Sequence, residues 1–270
     1  MLRSSNPILS KQDAFTPAAP QGQGYAPYPG QAPYGQAPYG PPVQAPEGRM
    51  TFDDVVTKTA VVMGVLAITA ALAWVFVPEA LYFPALILSA LVGFGMVLLV
   101  SFRRKVSPPL VFLYSVIQGV FIGMISKVFE SYYPGIVGQA VLATFVAAGV
   151  TLAAYKLFNI RVTPKFTKIV VLSTVAFAAV MLINFVYVLF SGNAGLRGGI
   201  VGPVSLLSVG ISILAIVLAV LNLILDFDYI ERGVAMGAPA NESWRGAFGL
   251  TVTMVWLYVE MLRLLSYLRR

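Results

Sequence analysis

Residues Ile169–Leu196 read IVVLSTVAFAAVMLINFVYVLFSGNAGL, a run without a single charged side chain. In an α-helix, about 20 apolar residues cross the ~30 Å hydrocarbon core of a bilayer. A second long apolar run, Gly246–Leu268, is interrupted only by Glu260 and Arg263. Five further uncharged runs of spanning length are Thr59–Val77, Ala80–Phe102, Val106–Ser126, Ser131–Tyr155 and Gly198–Leu225.

The composition of the chain agrees with seven membrane spans. Of its 270 residues, 58% are hydrophobic and 11% are charged, whereas a soluble domain carries about 25% charged residues. Backbone groups in lipid must be satisfied within the segment, and the runs lack the alternation of barrel strands. We therefore predict an all-α, polytopic membrane bundle of seven transmembrane helices over residues 51–270, with the lipid bilayer as its partner.

Residues 1–50 have a different composition. Gly22–Pro46 reads GQGYAPYPGQAPYGQAPYGPPVQAP, repeats the unit GQAPY, and contains no Leu, Ile, Met, Phe or Trp. Such a segment buries too little apolar surface to offset the entropy lost on ordering. We predict a disordered Pro/Gly/Tyr/Gln-rich cytoplasmic tail, which either stays solvated or recognises other proteins.

The chain has a net charge of +7, and its Lys and Arg residues lie between the apolar runs. We therefore interpret the charge as a signal of membrane topology and expect no nucleic-acid partner. An excess of Lys and Arg marks the cytoplasmic side. The N-terminal flank and alternate loops hold most of them, which predicts a cytoplasmic N-terminus. Seven spans then put Arg269 and Arg270 outside, so either the last helix is re-entrant or this basic end is tolerated. The richer side holds Arg49, Lys58, Arg103, Arg104, Lys105, Lys156, Arg161, Lys165, Lys168, Arg232 and Arg245, and the other side also holds Lys127 and Arg197.

The chain has no Cys and no His, which excludes disulfides, thiolate zinc sites and Ser-His-Asp catalysis. We expect no enzyme activity and no cofactor. Proton chemistry falls mainly to acidic side chains, and an ionisable group inside a membrane is a functional candidate by default. The candidates are Asp226, Asp228 and Glu231 near the end of helix six, and Glu260 in helix seven.

Two arrangements are open for Glu260. It lies three residues before Arg263, a spacing that allows a local ion pair on one helix. Alternatively, it meets Asp226 or Asp228 across the contact between helices six and seven, where two carboxylates hold a proton between them. Asp226 and Asp228 point to nearly opposite sides of a helix, so only one of them can face Glu260. A hard cation such as calcium prefers oxygen ligands, and transient calcium at these three acids is a hypothesis.

Three segments carry a resemblance to a known family: PPLVFLYSVIQG at Pro108–Gly119, LDFDYIERG at Leu225–Gly233, and WLYVEMLRLLSYL at Trp256–Leu268. In this order within a seven-span chain, they resemble the transmembrane Bax-inhibitor-motif family, in its bacterial YccA-like branch. The resemblance covers roughly residues 50–270. It implies a multi-pass protein of the bacterial cytoplasmic membrane with a central seventh helix.

The resemblance also implies an activity, a pH-sensitive calcium leak controlled by two aspartates on helices six and seven. The family's aromatic-Asp element matches Phe227 and Asp228, and its helix-seven aspartate matches Glu260, where this chain has Glu instead of Asp. The first functional hypothesis is therefore a cation leak channel gated by protonation of Asp228 or Asp226 with Glu260. The alternative is a membrane interaction protein or stress regulator that acts on other membrane proteins. A secondary transporter or intramembrane enzyme is a third class, but no convincing internal repeat supports it.

Overall fold

The computed structural model describes residues 48–103 and 105–270, and the predicted disordered tail falls almost wholly outside these ranges. Seven α-helices in the described part are each long and apolar enough to cross a membrane, which confirms the predicted bundle. Two short 3-10 helices, Glu79–Leu81 and Gly195–Arg197, precede α2 and α6. The seven are α1 Phe52–Phe76, α2 Tyr82–Phe102, α3 Pro108–Tyr132, α4 Ile136–Leu157, α5 Pro164–Ser191, α6 Leu206–Ala235 and α7 Glu242–Leu268.

Helix α7 is the centre of the bundle. It packs against α1, α3, α4 and α6, and it carries more buried side chains than any other helix that the structure describes. Helix α5 lies at the periphery, where Val170 is its one buried residue. The long apolar side chains that remain exposed on the outer helices form the surface that contacts lipid. The central position implied for the seventh helix is confirmed.

Helices α1 and α3 approach each other closely because α3 presents small residues to α1. A Cβ atom added to Gly119 would lie 2.6 Å from Cβ of Thr69 and 2.7 Å from the carbonyl oxygen of Leu66. A Cβ atom added to Gly123 would collide with the carbonyl oxygen of Ala70. Small residues at four-residue spacing permit this backbone contact in lipid, where the hydrophobic effect does not drive helices together.

The connections between helices form two faces, which we name by the chain terminus that lies on each. The N-terminal face comprises residues 48–51, 103, 105–107, 158–163 and 236–241, and there Met50 N donates to Ala238 O at 2.8 Å. The C-terminal face comprises residues 77–81, 133–135, 192–205 and 269–270, where Arg269 Nη1 donates to Pro134 O at 2.9 Å. Helix α7 runs from one face to the other, and its 27 residues span ~40 Å at 1.5 Å per residue. The re-entrant alternative is therefore wrong.

The close α1–α3 contact makes a stability prediction. We expect Gly123→Ala to lower the free energy of unfolding by about 1–3 kcal/mol, as overpacking does in other cores, because the added methyl group forces α1 and α3 apart. The matched control is Gly149→Ala in α4, where nothing lies within 4 Å of the added Cβ. It should leave stability unchanged or raise it by up to ~1 kcal/mol through helix propensity. The thermal midpoints in detergent check this, and equal midpoints for the two variants would contradict it.

Candidate functional site

Glu260 lies inside the bundle, with 2% of its surface exposed. Its Oε1 atom is 2.6 Å from Nη1 of Arg197, and its Oε2 atom accepts a hydrogen bond from Oγ of Ser212 at 3.3 Å. Ser212 belongs to α6, so the carboxylate connects α7 to α6 and to the loop between α5 and α6. The prediction that this acid is shielded from lipid fits the structure.

Arg197, the partner of Glu260, comes from the loop rather than from a transmembrane helix. It ends the short 3-10 helix before α6, yet only 8% of its surface is exposed. Its Nε atom donates to Sδ of Met181 at 2.9 Å, and its guanidinium carbon lies 5.5 Å from the ring centre of Phe177. Burial lowers the pKa of Arg197, although Glu260 acts in the opposite direction. The guanidinium keeps its charge because its ordinary pKa is so high, and the contact is therefore a buried ion pair.

Arg263 does not neutralise Glu260, although the three-residue spacing allows it. The ion pair of Glu260 is with Arg197, and Arg263 has none with any residue in the described ranges. The Nε atom of Arg263 is buried and also has no hydrogen-bond partner there. The local ion pair considered from the sequence is therefore wrong, because a guanidinium from the neighbouring loop reaches the carboxylate instead.

Asp226 forms a second polar contact between α6 and α7, nearer the N-terminal face. Its Oδ2 atom accepts a hydrogen bond from Oγ1 of Thr253 at 2.6 Å. Its Oδ1 atom lies against the backbone of Gly249, where an added Cβ would be 3.1 Å away. The half-buried carboxylate lines an open cleft of about 370 Å³ among α2, α6 and α7, whose walls include Val97 and Val100. Asp226 has no ion-pair partner within the part of the chain that the structure describes.

The expected pairing of Glu260 with Asp226 or Asp228 is wrong. Helices α6 and α7 are antiparallel neighbours joined by the turn at 236–241, so Asp226 lies opposite Thr253. Glu260 follows Thr253 by seven residues, which is ~10 Å further along α7. The two acids thus lie at different depths, and each contacts a hydroxyl group on the opposite helix rather than another carboxylate.

Asp228 points away from α7, as two-residue spacing from Asp226 requires. Its Oδ2 atom lies 2.9 Å from Nε of Arg232, one turn later on α6, and half of the Arg232 side chain is exposed. Glu231 accepts a hydrogen bond from the hydroxyl group of Tyr155 at 2.7 Å. Asp228 and Glu231 line a separate cleft of about 410 Å³ on the outer side of α6. The Phe227-Asp228 element therefore takes no part in the α6–α7 carboxylate contact.

The acids do not converge on a metal site. No group of three or more acidic side chains within residues 48–103 and 105–270 is arranged to hold a metal ion. A single carboxylate with a hydroxyl group supplies fewer oxygen ligands than the six to eight that calcium takes. Each of the two α6–α7 contacts therefore lacks the ligand set of a resident calcium ion.

Sequence reasoning missed four residues that complete these contacts: Arg197, Ser212, Gly249 and Thr253. The contacts of Thr253 and Gly249 with Asp226 could have been predicted, because the short α6–α7 turn places these residues opposite Asp226. Arg197 carries a weaker signal, as an arginine on the otherwise Lys- and Arg-poor side of the membrane. No sequence feature indicates that its side chain folds inward.

The Glu260–Arg197 pair makes an asymmetric stability prediction. In an Arg263→Gln background, where no second guanidinium can reach Glu260, Arg197→Gln should cost about 3–5 kcal/mol of unfolding free energy, since it leaves a buried carboxylate without a countercharge. Glu260→Gln should cost less, because Arg197 lies on a loop and can move its guanidinium toward water. Asp228→Asn, which breaks the pair with the half-exposed Arg232 side chain, is the control and should cost at most ~1 kcal/mol. Thermal midpoints in detergent check the order, and an Arg197→Gln midpoint equal to that of Asp228→Asn would contradict the buried pair.

Comparison with known proteins gives the family. The sequence model of a family described as Bax inhibitor 1 like matches residues 6–270, which is nearly the whole chain. No curated protein matches the sequence significantly. The match spans all seven helices, the Glu260–Arg197 pair and the Asp226 cleft. The chain is a multi-pass integral membrane protein and belongs to the Bax inhibitor 1-like family.

Proposed function

We propose that this protein is a pH-sensitive cation leak of the membrane, with calcium as the favoured ion, and that Asp226 is the group at which protons and cations compete. One observation carries the proposal. Asp226 lies within a transmembrane helix and lines an open cleft, and its described partner is a neutral hydroxyl group. Ionisable groups placed this way in membrane proteins mark ion and proton pathways.

The physical argument starts from the cost of an unpaired charge. An ionised carboxylate in a low-dielectric site is strongly unfavourable unless a positive group neutralises it. Glu260 has Arg197 for this purpose, and Asp228 has Arg232. Asp226 has no such partner in the described ranges, and Arg245, which lines the same cleft, pairs with Glu242. The neutralisation of Asp226 therefore falls to a proton or to a cation that enters the cleft. The Thr253 hydroxyl donates to the carboxylate and holds it in place for either.

The pH dependence follows from this competition. At low pH a proton occupies Asp226, and the cleft holds no negative charge to attract a cation. As the pH rises the proton leaves, and the carboxylate draws a hard cation into the cleft, where oxygen atoms are the preferred ligands of calcium. This single-acid mechanism replaces the shared proton of two acids expected from the sequence, because Thr253 stands where a second carboxylate would be needed.

The orientation of the protein is part of the proposal. The α2–α3 and α4–α5 connections, together with the helix ends beside them, hold Arg103, Arg104, Lys105, Lys156, Arg161, Lys165 and Lys168. By the positive-inside rule the N-terminal face is cytoplasmic, so the Asp226 cleft lies in the cytoplasmic half of the bundle. We assign the protein to a bacterial cytoplasmic membrane on the resemblance of its helix-three, helix-six and helix-seven segments.

The test is calcium flux into liposomes that contain the purified protein and a trapped indicator. The wild-type flux should rise as the pH is raised, because deprotonated Asp226 attracts the ion. Asp226→Asn should remove the pH response and lower the flux at high pH to the level of protein-free liposomes. The matched control, Asp228→Asn, removes an acid two residues away that is already paired with Arg232 and should keep the response.

Two results would contradict the proposal. A full pH response in Asp226→Asn would show that another group senses the proton. If correctly folded wild-type protein shows no flux at any pH, the protein is not a leak channel. That result would favour the alternative, a membrane interaction protein that acts on other membrane proteins.

A further inference from the structure

We infer that Glu260 and Ser212 form a second cation site, toward the C-terminal face, and that the guanidinium of Arg197 occupies it as a tethered plug. The inference rests on the proposed cation leak and adds a gate to it at the other end of the α6–α7 contact. It concerns the loop 192–205, which we call the plug loop.

The first step is the nature of the contact. Glu260 offers an acid and Ser212 a hydroxyl oxygen, both inside the bundle. Ser212 donates to one carboxylate oxygen of Glu260, and the guanidinium of Arg197 from the plug loop contacts the other. The carboxyl group lies eight residues before Leu268, or ~12 Å along α7 from its end. In the proposed leak, Arg197 therefore places a positive charge on the carboxylate that would attract a cation at this end of the α6–α7 contact.

The second step is the shape of the plug loop. Gly195 and Gly198 flank Arg197, with φ angles of 63° and 67°, a region that favours glycine. A Cβ atom on Gly195 would also lie 2.5 Å from Oδ1 of Asn184, which accepts a hydrogen bond from the backbone N–H of Leu196. These two turns direct the Arg197 side chain into the bundle.

The third step is the way in which the plug loop is held. Apart from the Arg197 side chain, the loop is held by hydrogen bonds and by Ile200, which packs against the hydrophobic core of α1, α3, α4 and α7. The hydroxyl of Tyr267 donates to the carbonyl of Arg197 at 2.6 Å, and the hydroxyl of Tyr133 donates to the carbonyl of Ile200 at 3.1 Å. Arg270 Nη2 donates to the carbonyl of Gly199 at 2.6 Å. The exposed Arg270 contact can exchange with water. The Tyr267 hydrogen bond and the Arg197–Glu260 ion pair are buried, so the ion pair is one of two buried polar anchors of the loop.

Arg263 is a second guanidinium within reach of Glu260. It lies one turn later on α7 and close enough to Arg197 to contribute to lowering the pKa of that residue. With Arg197 removed, Arg263 can take its place at the carboxylate. The experiment therefore uses an Arg263→Gln parent, so that Arg197 is the one guanidinium near Glu260. This parent should conduct as the wild type does, because Arg263 has no ion pair in the described ranges.

The experiment compares calcium flux in liposomes for three proteins: the Arg263→Gln parent, the same parent with Arg197→Gln, and the parent with both Arg197→Gln and Glu260→Gln. Removal of the plug should raise the flux several-fold, because Glu260 then attracts calcium. The additional Glu260→Gln change should bring the flux back toward the parent, since the opened site no longer carries a charge. If the parent conducts, equal flux in all three proteins, or a rise that persists without the carboxylate, would overturn the inference.

A second measurement follows the plug loop directly. The chain has no cysteine, so Ala215→Cys introduces a single thiol on α6, buried about one turn beyond Ser212. A membrane-impermeant thiol reagent should label it slowly in the parent and faster once Arg197→Gln releases the loop. If Arg197→Gln alone does not fold, the variant that also carries Glu260→Gln leaves no unpaired charge and must still label faster than the parent.

The two readouts separate the gate from the leak. Faster labelling without calcium flux in any protein, the parent included, supports the plug and contradicts the proposed function. A pH-dependent flux in the parent, together with labelling and flux that Arg197→Gln leaves unchanged, supports the leak and overturns the plug.

Discussion

The buried ion pair between Glu260 and Arg197 is the interaction on which the arrangement of the central helix depends. A carboxylate in the interior of a membrane bundle needs a positive partner, and here that partner comes from the α5–α6 loop at 2.6 Å. The pair fixes the loop over the C-terminal face and, through Ser212, fixes α6 against α7. The close α1–α3 contact at Gly119 and Gly123 then completes the packing around α7.

The contact between the antiparallel helices α6 and α7 contains two acids, Glu260 and Asp226, which lie at different depths and differ in whether a positive side chain neutralises them. Glu260 is neutralised within the protein, whereas Asp226 contacts a hydroxyl group and an open cleft. In the proposed mechanism, the paired acid holds α6 and α7 together and the acid without an ion pair responds to protons and cations. The same helix contact would then have one fixed end and one responsive end.

The fold was predictable because long uncharged runs leave few alternatives in lipid. The family resemblance also implied the central position of α7, which explains why this helix has so many buried residues. The importance of Glu260 was also predictable, since an acid among apolar residues must face inward. Its partner was not, because Arg197 reaches it from a loop whose course depends on glycines at positive φ. The choice of Asp226 over Asp228 depends on helix rotation, which the two-residue spacing limits but does not fix.

The charge state of Glu260 tests the account most directly. Infrared spectra of the protein in lipid at neutral pH, with the Glu260 band assigned by its loss in Glu260→Gln, distinguish a carboxylate from a protonated carboxyl group. The account predicts an ionised carboxylate whose band shifts when Arg197 is changed to Lys, because the ion pair loses its planar guanidinium. A protonated carboxyl band that is unaffected by the change at Arg197 would contradict it.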